Sequence, residues 1–442
     1  MNPTWPPSPD RSPWMVLWLG GLVVIVVSVL GTYALLTAFA VVVQAIFVLF
    51  LIRHLAFALT AAKTANADIE RIPIDSAQLP AFSVVVAMKN EIAVADQLLL
   101  ALSELDYPSD SLQVVLVDDA STDGTAEHLE ANAPVSMLVI HRDADASGGK
   151  SGALNEAISH LTGEMVIVFD ADHRPQPDIV RKHARHYGDS SVAAVQGRCQ
   201  IGNPDDGILA AAISLEYEAG YLVNEYGRQA VFGLPAYGGA NCSVRLESLL
   251  RHGGWNPTSH TEDTDLTLRL VLAGEHVRYD VAALDVEEAV TTLPRYWRQR
   301  YRWARGHQKV LRDYWRLSLT TNHLTVLQRI ETVGFLSLYH APVLALLATI
   351  LGIASTTGLV SPGVIPGGYI FWPLLFLGPL AELGAAMLLA GVSRRRALGL
   401  LWFLPLYALS MLIATTAWVD GVLGRHYTWA KTERSGSALV PT

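Results

Sequence analysis

The stretch Val166-Ile167-Val168-Phe169-Asp170-Ala171-Asp172 decides the fold. Four apolar residues are typical of a buried strand, and two aspartates one residue apart stand at its C-terminal end. In an open α/β sheet, ligands bind at that end of the strands. Alternate residues of a strand share a face, so Asp170 and Asp172 can point to the same side. Their oxygens suit Mg²⁺ or Mn²⁺ carrying a substrate diphosphate, and the alternative is a solvated turn.

The composition indicates a membrane protein with one domain in a reducing environment. The chain has 442 residues, 51% of them hydrophobic, and its mean hydropathy is +0.30. The net charge of -9 gives no sign of a nucleic-acid partner. The two cysteines, Cys199 and Cys242, provide no disulfide framework and no metal-ligand spacing. A domain that faces the cytoplasm is the simplest interpretation.

Apolar runs at both ends predict membrane spans. Residues 14–52 contain no charged residue and no histidine, and at about 1.5 Å per residue they are long enough to cross a bilayer twice. Residues 332–355 and 369–392 each match one span, and the loop between them has no Lys or Arg. Three arginines at 394–396 follow the second of these spans. The positive-inside rule therefore predicts a cytoplasmic segment between the two membrane regions.

The cytoplasmic segment alternates strands with helices. A β-α-β-α-β-α-β order predicts a doubly wound nucleotide-binding sheet. Farther along, we predict helices at 207–228 and 262–272, the second capped by Thr261, and a strand at 277–283. The elements of the first half are strands at 82–88, 112–117, 137–141 and 166–169, and helices at 92–105, 124–131 and 151–161.

Polar motifs follow most of these strands. Gly149-Lys150-Ser151-Gly152 brings backbone N–H groups and an ammonium to a helix N-terminus, which is an anion site on physical grounds alone. The ordered set resembles the membrane-embedded family 2 glycosyltransferases, which include cellulose, hyaluronan, chitin and poly-N-acetylglucosamine synthases. The motifs that carry this resemblance are Lys89-Asn90-Glu91, Asp118-Asp119, Gly149-Lys150-Ser151-Gly152-Ala153-Leu154-Asn155, Asp170-Ala171-Asp172, Thr261-Glu262-Asp263 and Gln299-Arg300-Tyr301-Arg302-Trp303.

The resemblance covers most of the chain and implies a nucleotide-sugar transferase domain of the GT-A type, inserted between N- and C-terminal membrane helices. It also implies inverting transfer from a UDP-sugar at the cytoplasmic face of the plasma membrane. The expected organisation is a cytoplasmic N-terminal tail with two spans at 1–63, a catalytic domain at 64–292, amphipathic interface helices at 293–330, two spans at 331–392, an apolar interface helix or fifth span at 393–423, and a cytoplasmic tail at 424–442.

The donor side of the predicted site is built from strand ends. An ionised carboxylate can accept a hydrogen bond from uracil N3–H, and either Asp118 or Asp119 fits this role. The alternative for Asp119 is a helix cap. By resemblance, the nucleoside lies there, Lys150 contacts the diphosphate, and Asp170 lies near the nucleotide. The other donor-binding residues that the resemblance implies are Ala87, Lys89 and Glu91.

Two carboxylate pairs are expected to serve the chemistry. Asp172, with Asp170, is predicted to bind the divalent cation, and His173 is either a third ligand or a turn histidine. Asp263 is the predicted general base that takes the proton of the acceptor hydroxyl. Glu262, by resemblance, supports the acceptor or the base. The alternative is that both acids only complement a helix dipole.

The acceptor side is predicted on a basic, aromatic-rich helix at 294–316, which suits a membrane surface. By resemblance, Gln299 and Trp303 line the acceptor end and Arg302 meets the diphosphate. Trp303 offers a flat face on which a sugar ring can stack. The resemblance also places three residues beneath the acceptor, although a packed strand and turn is an equal alternative for them: Gly238, Gly239 and Cys242.

The C-terminal tail resembles the gating loop that covers the nucleotide in these synthases. Such a loop must be cytoplasmic, so we predict that residues 397–423, bent at Pro405, lie in the membrane interface. A helper membrane subunit or a second copy of the chain is a further expected partner. The gating-loop residues are Trp429, Lys431, Thr432 and Arg434.

Two functions compete at this stage. The first is processive extension of a β-linked polysaccharide that is moved through the membrane helices. The second is single addition of a sugar to a lipid such as ceramide or diacylglycerol. A transporter without enzymatic activity is disfavoured, because the predicted spans carry few ionisable residues beyond Glu382 and His340.

Overall fold

The computed structural model describes most of the chain. The first predicted span falls largely outside the described residues, as do most of the linker before the first strand and the four gating-loop residues. The second predicted N-terminal span belongs to a 33-residue helix, α1 (Thr32–Thr64). The described residues are 21–22, 31–64, 79–236, 238–360, 368–425 and 436.

Four parallel strands form the first half of the sheet, in the order β3-β2-β1-β4. Their side chains are buried on both faces, which explains their nearly continuous apolar sequences. The predicted doubly wound arrangement is confirmed here. The elements are β1 (Phe82–Met88), α2 (Ile92–Ser103), β2 (Leu112–Asp118), α3 (Thr125–Asn132), β3 (Met137–His141), α4 (Gly149–Ala157) and β4 (Met165–Asp170).

The second half of the sheet is mixed, and the sequence predicted only part of one of its strands. The complete order is β3-β2-β1-β4-β7-β6-β8-β5. Strand β7 runs antiparallel to both β4 and β6, whereas β8 is parallel to β6. The elements are β5 (Arg174–Pro175), α5 (Ile179–Ala184), β6 (Val192–Ile201), α6 (Ile208–Glu218), α7 (Tyr226–Phe232), β7 (Cys242–Arg245), α8 (Leu246–Arg251), α9 (Glu262–Leu272) and β8 (His276–Glu287).

Two apolar clusters cover the two faces of the sheet. Alternate residues of β1 take part in different clusters: Val84 packs with residues of α2 and α5, and Val85 packs with residues of α4 and α9. The cluster that includes Val85 also contains Trp255, the largest fully buried side chain among the described residues. Helices on both faces leave the carboxyl edge of the parallel strands free to bear the polar motifs.

The predicted helix at 207–228 is a longer, interrupted element. Helices α6 and α7 are joined by a π-helical segment, Ala219–Glu225. A π-helical turn re-aims side chains inside a helix and is frequent at functional sites. In this case the segment brings Tyr221 and Asn224 to the wall of a cavity.

Apolar helices lie on both sides of the sheet domain in the chain. Two described helices are long and apolar enough to cross a membrane, Tyr33–Lys63 and Arg394–Val422, and a helix pair bent by 64° counts as a third if it is one span. That pair is Val326–Tyr339 with Ala341–Thr356. The elements are α10 (Leu293–Thr320), α11 (Val326–Leu336), α12 (Ala341–Thr356), α13 (Gly368–Leu389), α14 (Arg394–Ala397) and α15 (Phe403–Val422).

Helix α15 packs along the basic helix α10. Gln308 Nε2 donates to the Ala414 carbonyl over 3.0 Å, and Tyr301 Oη donates to Asp420 Oδ2 over 2.8 Å. Beyond α15, the backbone N–H of Gly436 donates to Glu288 Oε2 over 3.2 Å, beside the catalytic sheet. The chain therefore returns to the sheet domain after α15.

Candidate active site

Lys150 lies at the centre of a group of carboxylates. Its Nζ is 2.6 Å from Asp170 Oδ1 and 3.4 Å from Glu262 Oε1, and it donates to the Gly239 carbonyl over 2.7 Å. Burial opposes the charge, but the Asp170 and Glu262 carboxylates dominate and raise the pKa of Lys150. The first turn of α4, the end of β4 and the start of α9 thus meet at one ammonium.

Asp263 has the titration expected of a base. Burial, followed by the adjacent Glu262 carboxylate, raises the pKa of Asp263 to about 6, against hydrogen bonds from Thr264 and the charge of Lys150. A carboxyl with this pKa is mostly ionised at neutral pH and can still accept a proton. Thr261 holds the predicted N-cap position of α9, without a side-chain capping hydrogen bond.

The turn after β4 brings together groups that could hold a cation. One ligand atom each from Asp170, Asp172 and His173 lies within 4.8 Å of the others. Asp172 is buried, and its Oδ2 accepts a hydrogen bond from the Glu288 N–H over 3.4 Å. Two carboxylates at this spacing fit Mg²⁺ or Mn²⁺, which prefer oxygen ligands.

His173 is a buried, partnered residue. Its Nδ1 lies 2.5 Å from Asp285 Oδ2 on β8. Burial disfavours the imidazolium, but the Asp285 carboxylate outweighs burial and raises the pKa of His173 to about 10. One ligand atom each from His173, Asp285 and the buried Cys199 also lies within 4.8 Å of the others. Burial raises the pKa of Cys199, so a neutral thiol is expected there.

The predicted nucleoside residues occupy the ends of β1 and β2. Lys89 Nζ donates to the Asp119 carbonyl over 2.8 Å, and the Asp119 carboxylate pairs with Arg142. The alternative that Asp119 caps a helix is therefore excluded. Asp118 is buried, and its Oδ1 has no hydrogen-bond partner within the described ranges. Ala87 pairs with Asp170 in the sheet register, and the Glu91 N–H donates to Thr125 Oγ1 over 2.8 Å.

Arg142 was missed by the sequence analysis. It leaves the end of β3, pairs with Asp119, and donates to Glu156 Oε2 over 2.8 Å and to the Ser147 carbonyl over 2.8 Å. The signal that could have identified it is its position at a strand end, which the recognised motifs share. Arg142 therefore connects the Asp119 carboxylate to the loop that leads to Lys150.

A cavity of ≈ 610 Å³ extends from the carboxylates around Lys150 to the apolar helices α13 and α15. Its wall includes Asp263 and Trp303 from the catalytic side and Leu383, Phe403 and Tyr407 from α13 and α15. The sequence-predicted residues along this cavity are Lys150, Asp170, Gly238, Gly239, Glu262, Asp263, Gln299, Arg302 and Trp303.

Other predicted residues stay outside the cavity wall. Cys242 lies on β7, pairs with Val168 in the register and is fully buried in the core, as the strand alternative proposed. Gly239 does reach the site, because a Cβ there would lie 3.2 Å from Asp263 Oδ2. The remaining predicted residues outside the wall are Ala87, Lys89, Glu91, Asp118, Asp119 and Asp172.

Trp303 is supported by an arginine that sequence analysis left without a role. The Arg300 guanidinium lies 4.2 Å from the centre of the Trp303 ring and 5.1 Å from that of Tyr296. Its Nη2 donates to Glu216 Oε2 over 2.8 Å. The Arg300–Glu216 pair therefore holds the aromatic face that a sugar could contact.

Comparison with known proteins identifies the family. Residues 80–306 match the model described as "Glycosyltransferase like family 2". The chain belongs to the family 2 glycosyltransferases. The cavity beside the GT-A-like sheet is thus part of a glycosyltransferase.

Relatives make both polysaccharides and glycolipids. A beta-monoglucosyldiacylglycerol synthase of Synechocystis sp. is 37% identical over 240 residues, 54% of this chain and 50% of that one. Glucomannan 4-beta-mannosyltransferase 1 of Oryza sativa subsp. japonica is 27% identical over 390 residues, 83% of this chain and 73% of that one. The chain spans about half the length of the first relative.

A solved structure shares the fold. The mannosyltransferase PcManGT from Pyrobaculum calidifontis, in complex with GDP-Man and Mn²⁺, superposes with a TM-score of 0.58 at 20% identity. The match covers 87% of this chain and 100% of that one. The predicted GT-A fold is confirmed by this likeness.

Proposed function

We propose that this enzyme transfers a sugar from a UDP-sugar, with inversion, to the end of a β-linked glycan held in the cavity. The observation that carries the proposal is the single cavity that joins Lys150, Asp170 and Asp263 to helices α13 and α15. Donor groups, a base and an acceptor path then share one space. The rice relative, which matches over most of this chain, is named for a β-linked polysaccharide.

Asp263 would remove the acceptor proton. The acceptor oxygen forms a bond to the anomeric carbon while the bond from that carbon to the UDP oxygen breaks, and the proton passes to the carboxylate. The pKa of about 6 supports this role. Glu262 keeps that pKa raised, and Gly239 leaves space beside Asp263 Oδ2.

The donor would lie along the carboxyl edge of the sheet. Asp119 is paired with Arg142, whereas Asp118 Oδ1 has no hydrogen-bond partner in the described parts of the chain. We therefore favour Asp118 as the acceptor for uracil N3–H, beside Ala87, Lys89 and Glu91. Lys150 would bind the diphosphate together with Arg302, which lines the same cavity.

Asp172 and Asp170 would hold a divalent cation, Mg²⁺ or Mn²⁺. Such an ion supplies charge neutralisation for the departing diphosphate. His173, fixed by Asp285, lies within reach of both carboxylates.

Trp303 and Gln299 would bind the terminal sugar of the acceptor, on an aromatic face supported by Arg300. The enzyme would extend the glycan processively and move the product through the membrane helices that line the same cavity. The catalytic domain would face the cytoplasm of a multi-pass plasma-membrane protein, and a helper subunit or a second copy would complete the product path.

Transfer to a lipid is the second candidate function. The apolar side chains of Leu383, Leu400 and Phe403 line the cavity, and they would suit an acyl chain. The Synechocystis relative is named for a glucosylated diacylglycerol.

A direct assay separates the two functions. The full chain in detergent is supplied with UDP-glucose, UDP-N-acetylglucosamine or GDP-mannose and with Mn²⁺ or Mg²⁺. A polymer formed without added lipid supports the first function, and product formed only with diacylglycerol or ceramide supports the second. Absence of nucleotide release with every donor would contradict both.

A further inference from the structure

Glu382 is the sole Asp, Glu, Lys, Arg or His in the sequence of α13, an otherwise largely apolar helix. It is 6% exposed and lines the same cavity as Asp263. Burying a carboxylate among apolar helices is costly, and such residues mark binding or transport positions in membrane proteins. The function proposed above gives it no role.

Three elements meet at the Glu382 carboxylate. Its Oε1 lies 2.7 Å from His54 Nδ1 on α1. Asn224, on the π-helical segment, donates from Nδ2 to Oε1 over 3.3 Å and to Oε2 over 3.5 Å. Arg53 in turn donates to Asn224 Oδ1 over 3.3 Å, which orients the amide so that its NH₂ faces the carboxylate.

We propose that Glu382 and Asn224 form a binding site for the hydroxyl groups of a glycan acceptor, on the membrane-helix wall of the cavity. This inference rests on the proposed transferase function and specifies its acceptor. A carboxylate accepts charge-assisted hydrogen bonds from sugar hydroxyls, and a side-chain amide both donates and accepts. An acyl chain has no donor for the carboxylate and no acceptor for the amide, so the pair selects a glycan over a lipid tail.

Glu331 provides a matched comparison. It is also a buried acid, 4% exposed, on a helix next to α1. Its carboxylate is held by two guanidinium groups, Arg53 at 2.9 Å and Arg228 at 3.1 Å. Glu331 is absent from the cavity wall that the described residues form. It therefore stabilises the helix contacts without access to an acceptor.

The experiment compares Glu382→Gln, Asn224→Ala and Glu331→Gln in the full chain. Cellohexaose is the glycan probe, and dioleoylglycerol in nanodiscs is the lipid probe. Acceptor KM, donor KM and kcat are measured, and cellohexaose binding is measured by calorimetry with UDP present. Thermal unfolding reports whether each variant is folded.

We expect Glu382→Gln and Asn224→Ala to raise the KM and Kd for cellohexaose about tenfold, the size expected for a hydrogen bond to a charged group, with donor KM unchanged. Glu331→Gln should lower the unfolding temperature and change cellohexaose affinity much less than either cavity variant, because Glu331 reaches Asn224 only through Arg53. Equal affinities in wild type and both cavity variants, a matching loss in Glu331→Gln, or use of dioleoylglycerol alone would overturn the inference.

The calorimetric arm separates this inference from the proposed function. Binding of cellohexaose that depends on Glu382, without consumption of any nucleotide sugar, would contradict the transferase function alone. Product formation with unchanged cellohexaose affinity in the variants would contradict the inference alone.

Discussion

Lys150 Nζ, in the first turn of α4, lies 2.6 Å from Oδ1 of Asp170, the last residue of β4. Lysine and aspartate are thus already paired where a diphosphate and its cation would meet. Because an ammonium can exchange one anionic partner for another, the pair places positive charge at the donor site before the donor binds.

Lys150→Met should weaken donor binding. Removal of the ammonium leaves Asp170 and Glu262 without their shared cation, and their charges then repel a diphosphate. We expect donor KM to rise about tenfold or more, the loss of one charge-assisted contact. Lys182→Met is the control, since Lys182 pairs with Asp178 on α5. An unchanged donor KM would exclude the diphosphate role.

Asp263→Asn should abolish transfer and preserve nucleotide binding. The amide cannot take the acceptor proton, so kcat should fall about 100-fold or more. Asp265→Asn is the control on the same helix. Asp265 is buried and bonds to Asn256 and Arg269, so its substitution should lower stability and leave turnover intact. Retention of the wild-type rate in Asp263→Asn would show that the base lies elsewhere.

Activity should fall as the pH drops through about 6. Burial and the Glu262 carboxylate raise the pKa of Asp263 to about 6. The base is therefore protonated and inactive below that pH, and ionised and active above it. Glu262→Gln removes the repelling charge and should shift the acidic limb of the kcat/KM profile to lower pH. A shift to higher pH would contradict the assigned cause.

Chelation should stop transfer reversibly. EDTA should abolish product formation, and Mn²⁺ or Mg²⁺ should restore it. Asp172→Asn should weaken Mn²⁺ binding at least as much as the roughly 10–100-fold cost of losing an outer-shell partner, measured by electron paramagnetic resonance. Asp205→Asn, an exposed acid near Arg395, is the control. Full activity in EDTA would rule out the cation.

A C-terminal tag should be reachable only from the cytoplasm. Helix α15 packs along α10, and Gly436 contacts Glu288 of the catalytic domain. These contacts favour an interface position for α15, although its length and composition also suit a span. Labelling of the tag should require permeabilised cells, with a tag in the 356–368 loop as the external control. Labelling on intact cells would establish a crossing.

The strand-end motifs made much of the donor side predictable. Parallel strands buried on both faces have continuous apolar sequences, and their polar ends stand out against them, as in Val168-Phe169-Asp170. The same rule did not reveal β6 and β7, because antiparallel pairing depends on partners distant in the chain. Arg142 and Arg300 were overlooked for a related reason: their roles are contacts with Asp119 and Trp303, which sequence spacing does not encode.

The sequence by itself determined the succession of the first four strands along the chain, the family motifs and the identity of the carboxylates, because these depend on local periodicity and on residue type. Only the tertiary structure decided which of these groups share a space. Burial and the neighbouring Glu262 raise the pKa of Asp263, Asp285 fixes His173, and the cavity joins Asp263 to Glu382. The pKa, the hydrogen bond and the cavity each depend on how segments far apart in the chain pack together and exclude water.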